Sequence, residues 1–225
     1  MFLGIDTATS TGVIGLYQKE TGIRGEISFR IKRGHGKILN SLLAQLFSHL
    51  DLKPGEITGV AVGLGPGSFT GTRVGVTLAR SLGLALDIPV WGLSTLEGLA
   101  WNGGSSEEGE ILSLLDARNE RVYWGLYGWE KGRLCRLLGD DVAPVAELGP
   151  LLEKHSSRLM LIGEYPIYYQ DLLASRFSGS IFIPSPVHNQ LRGGIMAYAG
   201  YLASLKNSSG DSLEKIVPRY MKEAI

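Results

Sequence analysis

The sequence predicts an α/β protein of two lobes, each a copy of one β-β-β-α-β-α-β-α unit. Three observations carry this. A continuous apolar run, Ile57–Leu64, passes through a glycine-rich turn into a helix-patterned segment, as a buried strand feeding a crossover helix does. Strand-type and helix-type segments alternate along the chain. The opening segment is also echoed at an offset of 110 residues, with Asp116 falling on Asp6, Gly125 on Gly15, Leu126 on Leu16, Tyr127 on Tyr17, Glu130 on Glu20 and Gly132 on Gly22. Identities at one fixed offset are the mark of a duplicated unit.

In the first lobe, Phe2–Thr9 and Val13–Gln18 read as strands around a Ser-Thr-Gly turn. Glu26–Lys32 alternates, with Ile27, Phe29 and Ile31 on one face, and predicts a half-exposed third strand. Lys37–Leu50 is an amphipathic helix: Ile38, Leu42, Leu46 and Leu50 align, with Leu39, Leu43 and Phe47 beside them. After the strand Ile57–Leu64 come a helix at Thr70–Leu86, a strand at Pro89–Leu93 and a helix at Ser94–Trp101, where Ser94 and Glu97 have capping-box spacing. Asn102–Glu110, "NGGSSEEGE", reads as a polar linker.

The second lobe repeats the order. The hairpin in "ILSLLDARNERVYWGLYGWEKG" is followed by a helix at Ala146–His155, a strand at Arg158–Gly163 and a helix at Tyr168–Arg176. A short strand at Ile181–Pro184 and a last helix at Leu191–Lys206 complete it. The predicted division is residues 1–102 and 103–225, with the last helix free to pack back on the first lobe. This order is like that of the actin/Hsp70/sugar-kinase superfamily, in which two ribonuclease-H-like lobes flank a nucleotide cleft. The fold alone supplies no function.

Composition narrows the field. With 22 basic and 22 acidic side chains the formal net charge is zero, so nothing global draws the chain to nucleic acid. Cys135 is the single cysteine, which rules out an internal disulfide and fits a reducing compartment. "MFLGIDTATSTGV" has no basic n-region and carries Asp6 early, unlike a signal peptide. The most apolar long window, Val74–Leu93, contains Arg80 and Asp87 and reads as helix plus strand, not a membrane span. The expectation is a cytoplasmic protein with no membrane contact.

The glycine loop, "GLGPGSFTG" from Gly63 to Gly71, fails three catalytic patterns. The dinucleotide fingerprint is broken by Ser68 in one register and Thr70 in the other. No Gly-Lys-Ser/Thr closes a P-loop. The nucleophile elbow needs glycines two residues either side of Ser68, where Pro66 and Thr70 stand. Two readings remain open. Asp6, Gly65, Gly67, Ser68, Thr70 and Gly71 could form a phosphate-facing loop at a helix N-terminus. Or the loop is a tight crossover in which Ser68 or Thr70 caps the helix.

Along that helix Gly71, Gly75, Ala79 and Gly83 recur every four residues. Interior glycine costs about 0.8–1 kcal/mol relative to alanine, so the row implies close packing against another backbone, in the same lobe or in a partner. His35, His49, His155 and His188 are too far apart in sequence for a helical metal pair. Asp6 and Asp116 end matching strands, where they could hold a metal–nucleotide complex or satisfy turn amides. Arg30, Lys32, Arg33 and Lys37 form a basic run, read as a solvated edge with an RNA-facing role as the alternative. Tyr123, Tyr127 and Trp129 share one strand face and Trp124 the other, as core residues.

"GIDTATSTG", "VGLGPGSFTGTRVGVTLARSLGLAL", "LLDARNERVYWGLY" and "VPRY" together resemble the bacterial TsaB family, also called YeaZ, over nearly the whole chain. The resemblance implies a role in forming N6-threonylcarbamoyladenosine beside the anticodon of tRNAs. It implies a larger catalytic relative, TsaD, as heterodimer partner, with the ATPase TsaE joining them and TsaC making the threonylcarbamoyl-adenylate. A TsaB-type chain is then a non-catalytic subunit. It then requires no cofactor of its own, with weak ATP or ADP binding left open, while its partners use ATP and metal.

The resemblance further implies that Lys37–Leu50 and Thr70–Leu86 form the partner face, through Leu39, Leu42, Leu43, Leu46, Gly71, Thr72, Gly75, Ala79 and Gly83. In isolation the same face would pair two copies as a homodimer. TsaD-like proteins carry "HMEGH", whose histidines hold a metal; the aligned "TLEGL" here has Thr95 and Leu99 at those positions. A hydroxyl is a poor substitute for imidazole and leucine cannot ligate. No "GDN"-type segment supplies an aspartate ligand near the C-terminus. The alternatives are a free-standing ATP-dependent kinase, which Asp6, Asp116 and the loop would serve, and a metallopeptidase.

Overall fold

The computed structural model describes residues 1–30, 35–104, 109–152, 155, 158–175 and 180–221. The chain forms two compact units, one of Met1–Gly98 with Leu191–Tyr220, the other of Leu99–Gln190 with Met221–Ile225.

In the first unit β1 (Phe2–Asp6), β2 (Thr11–Gln18), β3 (Gly22–Arg30), β4 (Gly59–Gly63) and β5 (Val90–Leu93) make one sheet, ordered β3-β2-β1-β4-β5. β1 pairs antiparallel with β2 and parallel with β4. Alternation sorts the strands' two faces. Leu3, Ile5, Ile14, Leu16, Val60 and Val62 pack against Leu39, Leu43 and Leu46 of helix α1 (His35–His49) and Val76 and Ala79 of helix α2 (Phe69–Leu86). The other face carries Gly4, Gly15 and Ala61, and helix α7 (Gly193–Lys206) lies on it. A Cβ on Gly15 would overlap the backbone of Gly193, so only glycine lets these two chains approach.

The second unit repeats the topology. Its sheet runs β10-β9-β6-β7-β8, built from β6 (Glu110–Arg118), β7 (Arg121–Glu130), β8 (Arg133–Pro144), β9 (Arg158–Ile162) and β10 (Ser180–Phe182). Counted from each unit's first strand, both sheets read third, second, first, fourth, fifth. Leu112, Leu114, Trp124, Leu126, Leu148, Leu161 and Leu173 form the core. Helix α4 (Val145–Leu152) follows β8.

The bounds of several elements differ from expectation. β3 runs Gly22–Arg30 rather than Glu26–Lys32, because a turn at residues 19–21 starts its pairing with β2 at Gln18; Ile31 and Lys32 lie outside the described residues. Helix α3 (Thr95–Ala100) is shorter than expected and ends in a 3₁₀ turn, Trp101–Gly103. The helix expected at Tyr168–Arg176 is two short ones, α5 (Glu164–Tyr168) and α6 (Gln170–Ala174), separated by the non-helical Tyr169 at φ −127°. The final helix is in the first compact unit with residues up to Tyr220.

Beyond α7 the chain runs along the β5 edge. Trp91 Nε1 donates to Asn207 O at 2.9 Å, Asp211 N to Val90 O at 2.8 Å, and Gly92 N to the Asp211 carboxylate at 2.9 Å. Ile216 is fully buried, and Arg219 N donates to Leu64 O at 2.8 Å. This strap covers an edge that would otherwise present unpaired groups. No helix among the described residues is long and apolar enough to cross a membrane.

Candidate functional site

β1 delivers Asp6 to the end of the sheet, where it is fully buried. Its Oδ1 accepts the Ala8 N–H at 2.8 Å and its Oδ2 accepts the Thr95 hydroxyl at 2.8 Å. The carboxylate rests on Gly63, where any Cβ would collide with it. Burial pushes its pKa up from 3.8 to about 6, against the opposing pull of the Ala8 and Thr95 hydrogen bonds. Asp116, its sequence counterpart, is exposed and accepts the Arg118 N–H at 2.8 Å. The two aspartates match in sequence and differ in environment.

The glycine loop closes on its own unit. Ser68 is the cap of α2, its Oγ accepting from Gly71 N at 3.2 Å. Ser68 N donates to Ala8 O at 2.6 Å, and Thr95 N to Gly65 O at 2.9 Å. A Cβ on Gly67 would overlap the Ala8 carbonyl oxygen, and one on Gly71 the Thr7 carbonyl oxygen. The close approach that glycine permits at these two positions is toward the chain's own carbonyls. Of the expected loop residues, Asp6 and Gly65 are buried, Gly67 is half-buried and Ser68 and Thr70 are exposed. Ser68 thus takes the capping role that the crossover reading gives it.

Sequence reasoning missed Thr7. Its hydroxyl donates to Gly71 O at 2.7 Å and accepts from Gly75 N at 3.0 Å, pinning β1 to the first turns of α2. The small-residue row thus faces inward: Gly71 and Gly75 on Thr7, and Gly83 on Val90 and Leu213. Thr72 and Ala79 are buried as well, and Leu39, Leu43 and Leu46 belong to the core. Only Leu42 of the expected partner-face residues is partly exposed. The two helices present other residues outward. An open groove of about 450 Å³ between them is lined by Asn40, Phe69, Thr70, Arg73, Val74, Thr77, Leu78 and Ser81, with Leu39 at its floor.

His49 Nδ1 lies 2.8 Å from Gln45 O and His155 Nδ1 lies 3.1 Å from Glu110 Oε1. Among the described residues no group of three His, Cys, Asp or Glu side chains could hold a metal. Lys32 and Arg33 of the basic run lie outside the described residues. Tyr127 is buried with its hydroxyl on Asp140 at 2.6 Å, and Trp124 joins the core. The bulges against this strand lie on β8, where Leu137 and Asp140 are the extra residues, so β7 keeps its alternation, with Val122, Trp124 and Leu126 on one face.

The chain matches the family model described as "TsaD: tRNA N6-adenosine threonylcarbamoyltransferase" over residues 15–223. It is 30% identical over 222 residues to the tRNA threonylcarbamoyladenosine biosynthesis protein TsaB of Bacillus subtilis, covering 99% of this chain and 94% of that one. The structure of YeaZ from Pseudomonas aeruginosa superposes with a TM-score of 0.80 at 21% identity, covering 98% of this chain and 99% of that one. An inorganic polyphosphate/ATP-glucomannokinase from an Arthrobacter strain shares the fold at a TM-score of 0.51 and 15% identity, over 92% and 99% of the two chains. Two sheets of one repeated topology, the resemblance of the motifs and these matches agree: the chain belongs to the TsaB (YeaZ) family of tRNA threonylcarbamoyladenosine biosynthesis proteins, within the TsaD-like fold.

Proposed function

We propose that this chain is a non-catalytic partner subunit in N6-threonylcarbamoyladenosine formation, working beside a TsaD-type catalytic subunit and a TsaE-type ATPase. The observation that carries the reading is the Asp6–Thr95 pair. Thr95 stands where the resemblance puts a metal-holding histidine, and its hydroxyl is committed to Asp6 at 2.8 Å. Leu99, at the second such position, is a buried aliphatic. A metal there would find one hydroxyl and no imidazole. The loop above is closed by its own carbonyls, so in this reading ATP and metal belong to the partner subunits, and tRNA is the substrate of the complex.

The partner surface in this reading is the outward face of α1 and α2 around the groove, rather than the small-residue row. Two measurements on the purified chain test the proposal. Titration calorimetry with Mg-ATP should give at most weak binding without turnover. Size-exclusion chromatography with the cognate TsaD-type protein should give a stable heterodimer. ATP turnover by the chain alone would replace this reading with the kinase one. Stoichiometric metal with peptide cleavage would replace it with the metallopeptidase one.

A further inference from the structure

α1 and α2 together span 15 and 18 residues and contain no aspartate or glutamate, in a chain with 22 acidic side chains. At the chain's average acidic content such a stretch would hold about three, and surface helices normally mix both signs. The charged groups these helices do carry, Lys37, Arg73 and Arg80, are cations. Among the described residues Arg73 is the one charged residue lining the groove, and it is exposed.

Arg73 is held in place. Its guanidinium lies 3.8 Å over the Phe69 ring, and its Nε donates to the Tyr220 hydroxyl at 2.8 Å. Tyr220 itself stacks on Phe69 with ring centroids 4.9 Å apart. Stacking and the Nε bond fix the plane of the guanidinium while leaving its two terminal nitrogens free of both contacts. A planar pair of donors fixed in this way matches a carboxylate bidentately. Phe69 is 53% exposed and Tyr220 50% exposed, so this arrangement stands at the surface, beside the apolar walls formed by Val74 and Leu78.

The geometry points to Arg73 as a pre-oriented carboxylate receptor for the partner protein, with Tyr220 of the C-terminal strap as its positioning residue. The occupant of the groove is an apolar segment of a different protein that brings an aspartate or glutamate to Arg73. The inference rests on the partner-subunit reading above. Charge argues against a second copy of this chain as the preferred occupant. Pairing α1 and α2 with themselves brings no carboxylate of either helix to Arg73.

The test is titration of the full-length chain with the purified TsaD-type partner at low and high salt. Arg73→Ala should weaken binding about tenfold or more and reduce its salt dependence. Arg73→Lys keeps the charge and loses the fork, and should recover only part of the affinity. Tyr220→Phe should weaken binding by a smaller factor, about threefold, while keeping the wild-type salt dependence, since the charge remains but its tether is gone. Self-association of the wild-type chain should be weaker than partner binding and should strengthen as salt is raised.

If Arg73→Ala binds within about twofold of wild type while Thr77→Trp, which fills the groove, abolishes binding, the face is right and the carboxylate assignment is overturned. If the wild-type chain fails to bind the partner, both the assignment and the partner-subunit reading fall. Self-association that tightens as salt is lowered would overturn the choice of occupant. Arg73, Thr77 and Tyr220 are exposed, and thermal melts confirm that each variant is folded.

Discussion

The Asp6 carboxylate accepts the Thr95 hydroxyl at 2.8 Å, and neither residue reaches solvent. The bond ties the end of β1 to the start of α3. A buried acid in this setting has consequences for stability that can be measured apart from function.

Stability should fall as pH rises through the Asp6 pKa. Burial holds that pKa at about 6 in the folded chain against 3.8 for an ordinary aspartate, so the folded state binds the proton more tightly than the unfolded state. Its contribution is full below about pH 4 and is lost as pH rises through about 6. The difference between 3.8 and about 6 corresponds to about 3 kcal/mol. Asp6→Asn should flatten the dependence of the urea midpoint on pH across that window.

Thr95→Val keeps the shape of the side chain and removes the donor to Asp6. It should cost about 1–3 kcal/mol in urea unfolding, because Oδ2 is left without that partner. If the pair is structural, the variant that remains folded should support tRNA modification as well as wild type.

Gly71→Ala and Gly75→Ala should destabilise the chain itself. The added methyl meets Thr7 O at the first position and lies 2.6 Å from Thr7 Oγ1 at the second. Each should cost about 1–3 kcal/mol or more. Thr77→Ala, on the exposed side of the same helix, should be near neutral by the same denaturation assay.

Truncation after Ser209 removes the strap, with Asp211 on the β5 edge and the buried Ile216. Losing the Ile216 side chain alone forfeits about 1.5–3 kcal/mol of apolar burial. The truncated chain should unfold at lower urea. Light scattering should show it aggregating through the bared strand edge.

The duplicated topology was legible because β4 is a continuous apolar run and the two hairpins share identities at one offset. The destination of α7 was not. A helix rich in glycine and alanine reads alike whichever sheet it covers, and its fit to Gly4 and Gly15 is a pairing across most of the chain. The row Gly71, Gly75, Ala79 and Gly83 announced a close approach but not its direction, which is set by Thr7, 64 residues before Gly71. Arg73 and Tyr220 lie 147 positions apart, so nothing local joins them. The break at Tyr169 had a local signal in Pro166, which fits the first turn of a helix beginning at Glu164.

Reconstitution tests the central claim most directly. The purified chain is combined with cognate TsaD-, TsaE- and TsaC-type proteins, tRNA, threonine, bicarbonate and Mg-ATP, and each protein is omitted in turn. The account predicts that modified adenosine forms only when this chain is present, and that Asp6→Asn supports it as wild type does. Product formed without the chain would contradict the account, as would an Asp6→Asn variant that folds and binds the TsaD-type partner yet abolishes product.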